Sequence, residues 1–249
     1  MYLTTKALVL REAKYKDADK ILTVLTEDGK MTVKAAGALR KGCRFSAAAQ
    51  CFAYSEMTLF GNAGRFSVKE ASTIEQFLPL REDLSVLALA NYFAAVLEAV
   101  SDEDRATPVF LQLGLNSLFA LANGLYDILH IKAAFELRVM CLAGFEPDVS
   151  GCAQCGEASP AEPRFSVAGG ALHCGACSPG AQGRSLPLCQ GSLLAMRHII
   201  SSPPKSIFAF SISDDAQARL AEICEGYLTE HLDRRFRSLD YFKKNNLYA

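Results

Sequence analysis

Two patterns of hydrophobic positions divide the chain near residue 79. The first part contains five short apolar runs, at residues 7–10, 21–26, 31–35, 52–60 and 66–74. An Asp28-Gly29 turn separates the second and third runs, and Gly61-Asn62-Ala63-Gly64 separates the last two. Such turns between apolar runs are typical of β-hairpins. Five strands at this spacing predict a small closed barrel.

Beyond Pro79, the apolar residues recur with the period of an α-helix. They predict helices over residues 84–96, 111–119, 133–141, 192–200 and 220–232. The third helix should end at Gly144, with Pro147 shortly beyond. Residues 148–188 are instead rich in Gly, Pro, Ser and Cys. We therefore predict an α+β protein with a β-barrel domain at 1–78 and an all-α body at 79–249, into which a loop is inserted at about 148–188.

The inserted loop carries the most specific motif. Cys152 and Cys155 form one C-x-x-C pair, and Cys174 and Cys177 form another after 18 intervening residues. Two such pairs can close a tetrahedron of thiolates around a zinc ion, with Zn–S bonds of about 2.3 Å. A site with four cysteines has no open position for water, so we predict one structural zinc ion per chain. Four unpaired thiols and a redox pair are the alternatives.

Composition and charge narrow the function. The net charge is −1, which argues against a uniformly basic nucleic-acid binder, but residues 1–80 alone carry +4. A basic N-terminal part favours a polyanion partner there. Residues 1–20 lack the apolar core of a signal peptide, and the apolar run at 84–100 is too short to span a bilayer. We expect nine cysteines in such a chain to be thiols or metal ligands, and the compartment to be the cytoplasm.

No catalytic constellation is present in the sequence. The four histidines fit neither a zinc deaminase nor an H-E-x-x-H motif, and G-x-S-x-G is absent. Residues 37–44 resemble a phosphate-binding P-loop, but Cys43 and Arg44 replace its Lys and Ser/Thr. We therefore expect a binding protein with no catalytic residues and not an enzyme.

Basic residues near the predicted barrel are the candidate nucleic-acid contacts: Lys14, Lys16, Lys20, Lys34, Arg40, Lys41 and Arg44. On a small barrel they could share one face and follow a phosphate backbone. Tyr15, Phe45 and Tyr54 are candidate stacking partners, although core packing is the usual fate of such residues. A solvated surface of mixed charge remains an equal alternative. The basic residues that end the chain favour an exposed helix end: Arg234, Arg235, Arg237, Lys243 and Lys244.

The order of these features resembles the RecO family, the bacterial recombination mediators of the RecF pathway. The similar segments are residues 6–10, 15–22, 25–26 and 29 at the start, 80–84 and 90–92, 135–138 and 142–148 before the first cysteine pair, 165–166 and 169–170 before the second, and 235–238 near the end. One departure is Ala36, which precedes Gly37 where the family usually has a basic residue.

The resemblance implies an N-terminal OB-fold, a helical body and a zinc-binding loop. It implies binding of single- and double-stranded DNA, annealing of complementary strands and DNA repair without a chemical step. It also implies RecR, the acidic C-terminal tail of single-stranded DNA-binding protein (SSB), and a RecA-loading complex with RecF as partners, in the nucleoid. Lys132 and Arg138 are the candidate cations for the acidic tail. The alternatives are an RNA-binding OB/zinc-ribbon protein, a zinc hydrolase and a scaffold that binds only proteins.

Overall fold

The computed structural model of the chain describes residues 1–62, 64–103, 105–106, 108–177 and 183–246. Ala63, in the second predicted turn, and residues 178–182, in the predicted insertion, lie outside the described residues. Two compact units divide the chain: Met1–Asn123 with Phe236–Ala249, and Gly124–Arg235. The first unit therefore combines the barrel with the helices that directly follow it and with the last helix of the chain. The predicted domain boundary after residue 78 stays a prediction.

Five strands form a closed barrel in the first unit: β1 (Tyr2–Tyr15), β2 (Asp19–Thr26), β3 (Gly29–Ala35), β4 (Tyr54–Asn62) and β5 (Arg65–Glu75). Their order around the barrel is β1-β2-β3-β5-β4, with β3 and β5 parallel and the other neighbours antiparallel. This is the strand order of an OB-fold, as predicted. Alternate side chains point inward and form its core, including Ala7, Val9, Leu22, Val24, Val33, Met57 and Leu59.

The hairpin between β2 and β3 depends on Gly29. Its φ of 133° is a backbone conformation that residues other than glycine rarely adopt. An added Cβ would also lie 3.0 Å from the carbonyl oxygens of Asp102 and Arg105. The next amide, of Lys30, donates to the Asp102 carbonyl at 2.9 Å. Gly29 is thus needed for the turn, and its lack of a side chain leaves room for the backbone of Asp102 and Arg105 to pack against it.

Six α-helices occur in the described residues: α1 (Leu84–Val100), α2 (Pro108–Ala122), α3 (Ile128–Leu142), α4 (Gln190–Ser201), α5 (Asp214–Leu232) and α6 (Arg237–Asn246). Asp83 caps α1 by accepting from the amides of Ser85 and Val86. The last helix packs against α1 in the first unit, where Tyr92 meets Phe236 edge to face at 5.5 Å. The sequence pattern predicted the end of α5 at residue 232 but did not predict α6.

The second unit packs α3 and α4 against α5 and carries a small sheet. Its strands are β6 (Pro163–Ser166), β7 (Ala171–Cys174) and β8 (Ser185–Pro187), in the order β7-β6-β8. This sheet lies within the predicted insertion and positions its second cysteine pair. Among the described residues, no helix has the length and apolar character that crossing a membrane requires.

Candidate nucleic-acid interface and metal centre

An open groove of about 760 Å³ runs over one face of the barrel. Its lining residues come from the end of β1, from β2 and β3, and from the β4–β5 hairpin: Tyr15, Ile21, Thr32, Lys34, Phe60, Gly64, Arg65, Phe66 and Ser67. Three aromatic rings and two cations therefore share one surface. We call this surface the barrel groove.

Tyr15 is the most exposed aromatic residue of the barrel groove, at 42%. It is the last residue of β1, and two lysines flank its ring. The ammonium nitrogens of Lys16 and Lys34 lie 5.4 and 5.6 Å from the ring centroid. Both distances are within the range of a cation–π interaction. The ring is thus held among positive charges while part of it remains open to solvent.

An ion pair at the edge of the barrel groove fixes Lys34. Its Nζ lies 2.8 Å from Oδ2 of Asp19, whose Oδ1 accepts from the Gly37 amide at 2.7 Å. The hydrogen bond from Lys34, together with that from Gly37, holds the pKa of Asp19 below its usual value. The same bond raises the pKa of Lys34. Asp19 therefore orients Lys34 and anchors the start of the loop after β3, but it also offsets part of the positive charge.

The β4–β5 hairpin contributes residues that the sequence analysis missed. Phe60, Arg65 and Phe66 line the groove, and Lys69 places its Nζ 5.3 Å from the centroid of the Phe60 ring. A Cβ on Gly61 would lie 2.8 Å from Phe66, so only glycine leaves room for that ring. The signal available in the sequence was the alternation Arg65, Ser67, Lys69 on one face of β5.

The predicted contacts near the first turn have different environments. Lys14 is exposed and pairs in register with Lys20 across β1 and β2. The side chain of Lys20 is only 13% exposed, because its Nζ donates to Glu12 at 2.7 Å and to the Ala49 carbonyl at 3.0 Å. Lys20 is thus occupied in holding the loop before β4, which leaves Lys14 and Lys16 as the open cations of this turn.

Arg40, Lys41 and Arg44 are exposed in the loop between β3 and β4. The Leu39 amide donates to the Ala18 carbonyl at 2.9 Å, which fastens this loop to the turn between β1 and β2. None of the three cations is among the residues that line the groove.

Two of the three predicted stacking residues lie elsewhere. Phe45 packs against the barrel core. Tyr54 lines a separate pocket of about 420 Å³ with Glu27 and part of α2, and burial raises its pKa. Of the aromatic candidates named from sequence, Tyr15 alone lines the barrel groove. Phe60 and Phe66 also line it, and Phe66 packs against the barrel core as well.

The four predicted cysteine ligands converge in the second unit. Their sulfur atoms all lie within 4.8 Å of one another, and those of Cys155 and Cys174 are 3.9 Å apart. A tetrahedral site with bonds of about 2.3 Å requires sulfur atoms about 3.8 Å apart, so the arrangement fits a four-coordinate metal ion. The four cysteines therefore form a site that could hold one metal ion.

The environment of the cysteine cluster favours a thiolate at one position. Backbone N–H groups of Cys155, Cys174 and Gln154 surround the Cys152 sulfur and lower its pKa to about 6. A hydrogen bond with Cys174 raises the pKa of Cys177 to about 12. An entering metal ion must therefore displace protons from this cluster, and its affinity should fall as the pH falls.

The proposed partner cations have structural tasks in the second unit. Lys132 is 2% exposed and forms ion pairs of 2.9 Å with Glu136 and Glu225. Burial alone would lower its pKa, but the two carboxylates outweigh that effect and raise the pKa. Lys132 is therefore a buried ion-pair residue, and its ammonium group is not open to the acidic tail for which it was a candidate. Arg138 donates from Nη1 to the carbonyls of Ile199 and Ile200, at 3.2 and 2.6 Å, which caps the end of α4.

Comparison with known proteins decides the family. Residues 1–77 match the family model "Recombination protein O N terminal", and residues 81–240 match "Recombination protein O C terminal". The chain belongs to the RecO family.

Relatives in the RecO family match over nearly their whole length. The DNA repair protein RecO of Acetivibrio thermocellus is 30% identical, over 97% of this chain and 96% of the relative. That of Desulforudis audaxviator is 32% identical over 96% of each chain. That of Alkaliphilus metalliredigens is 29% identical, over 98% of this chain and 100% of the relative. The prediction of a RecO-family protein of DNA repair is thereby confirmed.

Proposed function

We propose that this chain is a non-catalytic recombination mediator whose barrel groove binds single-stranded DNA. The observation that carries the proposal is Tyr15, an exposed ring between Lys16 and Lys34 in a groove that also holds Phe60 and Phe66. Bases of a single strand can stack on such rings, and each stack contributes about 1–3 kcal/mol. The neighbouring cations contact the phosphates and release counterions.

Annealing follows from the same physical effect. Two DNA strands repel each other through their phosphates, and lysine and arginine side chains that neutralise those charges lower the repulsion. We propose that the chain binds single- and double-stranded DNA and anneals complementary strands. It would act with RecR, RecF and the acidic tail of SSB to load RecA onto SSB-coated DNA in the nucleoid. Arg138 remains the predicted cation for that tail.

We further propose that the cysteine cluster holds one zinc ion in a structural role. The donor set supports it, because four thiolates are typical of structural zinc sites and leave no coordination position open for a substrate. When bound, the ion would tie β7 to the loop that carries Cys152 and Cys155. It would hold this loop against the small sheet of the second unit.

The test is a comparison of affinities by fluorescence anisotropy for single-stranded DNA, duplex DNA and structured RNA at several salt concentrations. We expect tight binding of single-stranded DNA that weakens steeply with salt. Tyr15→Ala should weaken it about fivefold or more, the effect of losing one base stack. Lys205→Glu, an exposed charge reversal in the second unit, is the control and should leave binding unchanged.

Two outcomes would contradict the proposal. A strong preference for structured RNA would favour the RNA-binding alternative. If the Tyr15→Ala variant and the unmodified chain bind single-stranded DNA with equal affinity, the barrel groove is not the binding site.

A further inference from the structure

The last helix of the chain, α6, has two different faces. Leu239 and Phe242 are buried against the rest of the first unit. Arg237, Tyr241 and Lys244 are exposed and follow one another at intervals of four and three residues. Side chains at this spacing lie on one face of an α-helix. We call these three residues the α6 stripe.

Tyr241 is an exposed aromatic residue in the α6 stripe. Tyr241 is 50% exposed, whereas Phe242, the next residue of α6, is buried. A cation stands one turn before the ring and another about one turn after it. Within the described part of the chain, neither Arg237 nor Lys244 is engaged in an ion pair. The combination is the one found around Tyr15, an open ring flanked by two positive charges.

The charge of α6 supports a polyanionic ligand. Its sequence contains Arg237, Lys243 and Lys244 but Asp240 as the one acidic residue. An acidic peptide tail would need an apolar pocket beside the cations. The apolar residues of α6 are turned inward instead, so the stripe offers a flat ring and charges. A stacked base with its neighbouring phosphates satisfies both features.

We propose that the α6 stripe is a second binding surface for single-stranded DNA, made of residues distinct from those of the barrel groove. Tyr241 stacks on a base, and Arg237 and Lys244 contact the flanking phosphates. This inference rests on the proposed function. Annealing must bring two strands together, and the α6 stripe would bind the second of them. A chain that holds one strand in the barrel groove and another on α6 can present both for pairing.

Native mass spectrometry with short oligothymidine strands tests this directly, because it counts strands per chain whatever the oligomeric state. We expect two strands per chain for the unmodified protein and one for the double variant Arg237→Glu/Lys244→Glu. Tyr241→Ala should weaken the second binding event about fivefold or more and leave the first unchanged. The salt dependence of second-strand binding should fall by about 0.7 in log–log slope for each cation removed.

The matched control is Lys205→Glu/Arg184→Glu, which makes the same change in net charge at exposed positions of the second unit. It should keep both strands and the annealing rate, whereas the α6 double variant should anneal slowly. Circular dichroism of each variant shows whether the helices persist, and Tyr241→Phe should restore second-strand binding.

The failures can be told apart. If the unmodified chain binds one strand per chain, or if the α6 variants bind two, the α6 stripe is not a DNA site, while the barrel groove is unaffected. The inference would also be overturned if the α6 double variant kept both DNA strands but lost binding of an acidic peptide. If the unmodified chain binds no DNA, the proposed function itself fails.

Discussion

The buried Lys132 allows a quantitative prediction about the stability of the second unit. Lys132→Met removes an ammonium group that contacts two carboxylates, one of which, Glu136, is 0% exposed. Removing one partner of a buried ion pair leaves the other charge poorly compensated, and the free energy of unfolding falls by about 3–5 kcal/mol. Methionine has nearly the volume of lysine, so the loss of unfolding free energy would come from the missing charge and not from a cavity.

A double-mutant cycle separates the ion pair from other effects. Glu136→Gln keeps the shape of the side chain and removes its charge, so the double variant Lys132→Met/Glu136→Gln should recover more than half of the lost stability. Urea denaturation followed by circular dichroism provides the free energies of unfolding for the four members of the cycle. If Lys132→Met costs less than about 1 kcal/mol, a value typical of exposed pairs, then Lys132 is not enclosed as described.

The remaining predictions concern other sites. Cys155→Ser should lower the bound zinc from one ion per chain to none and increase proteolysis of the loop around the cysteines; one zinc retained per chain would contradict the four-cysteine site. Gly61→Ala should displace the Phe66 ring and weaken binding of single-stranded DNA several-fold, whereas Gly226→Ala in α5, where an added Cβ meets its nearest neighbours at 3.9 Å, serves as the control. Burial lowers the pKa of His130 below 6.5, so its neutral form stabilises the second unit above pH 6.5 and that stability is lost as the pH falls. Thermal melts of His130→Phe should lack this dependence, and an unchanged pH profile would refute the assignment.

Much of the fold could be predicted from the sequence because local signals agreed with it. The alternation of apolar residues and the Asp28-Gly29 turn predicted the barrel strands, and a period near 3.6 predicted five of the helices. The last helix, α6, was missed, although the predicted end of the fifth helix at residue 232 agrees with the end of α5. Asp233, in a left-handed conformation with φ of 44°, separates the two helices, and a periodic pattern carries no sign of such a turn.

The candidate sites were predictable to different degrees. The cysteine cluster could be named residue by residue, because the spacing of two C-x-x-C pairs is itself a geometric constraint. The barrel groove could not, because it is assembled from strands that are distant in sequence. Lys20 and Lys34 were both named as DNA contacts, yet one donates to Glu12 and the other to Asp19 beside the groove. Only the strand register decides which cation meets which carboxylate.

Arg65 and Lys69 are basic residues near the groove that the sequence analysis did not name. Both lie on β5, beyond the basic residues that the sequence analysis collected. Arg65 lines the groove because β5 pairs with β3 when the barrel closes, and Lys69 lies over the Phe60 ring. Lys132 shows that a basic residue in an apolar helix can be satisfied internally. Its partner Glu225 is 93 residues away in sequence, which no local pattern reveals.

The central claim is that single-stranded DNA lies in the barrel groove. Photo-crosslinking with an oligonucleotide that carries 5-iododeoxyuridine, followed by mass spectrometry of the peptides, tests it most directly, because aromatic rings that stack on the modified base form the adducts. At less than one strand per chain, the adducts should fall on Tyr15, Phe60 or Phe66. Adducts confined to residues outside the barrel groove would contradict the account.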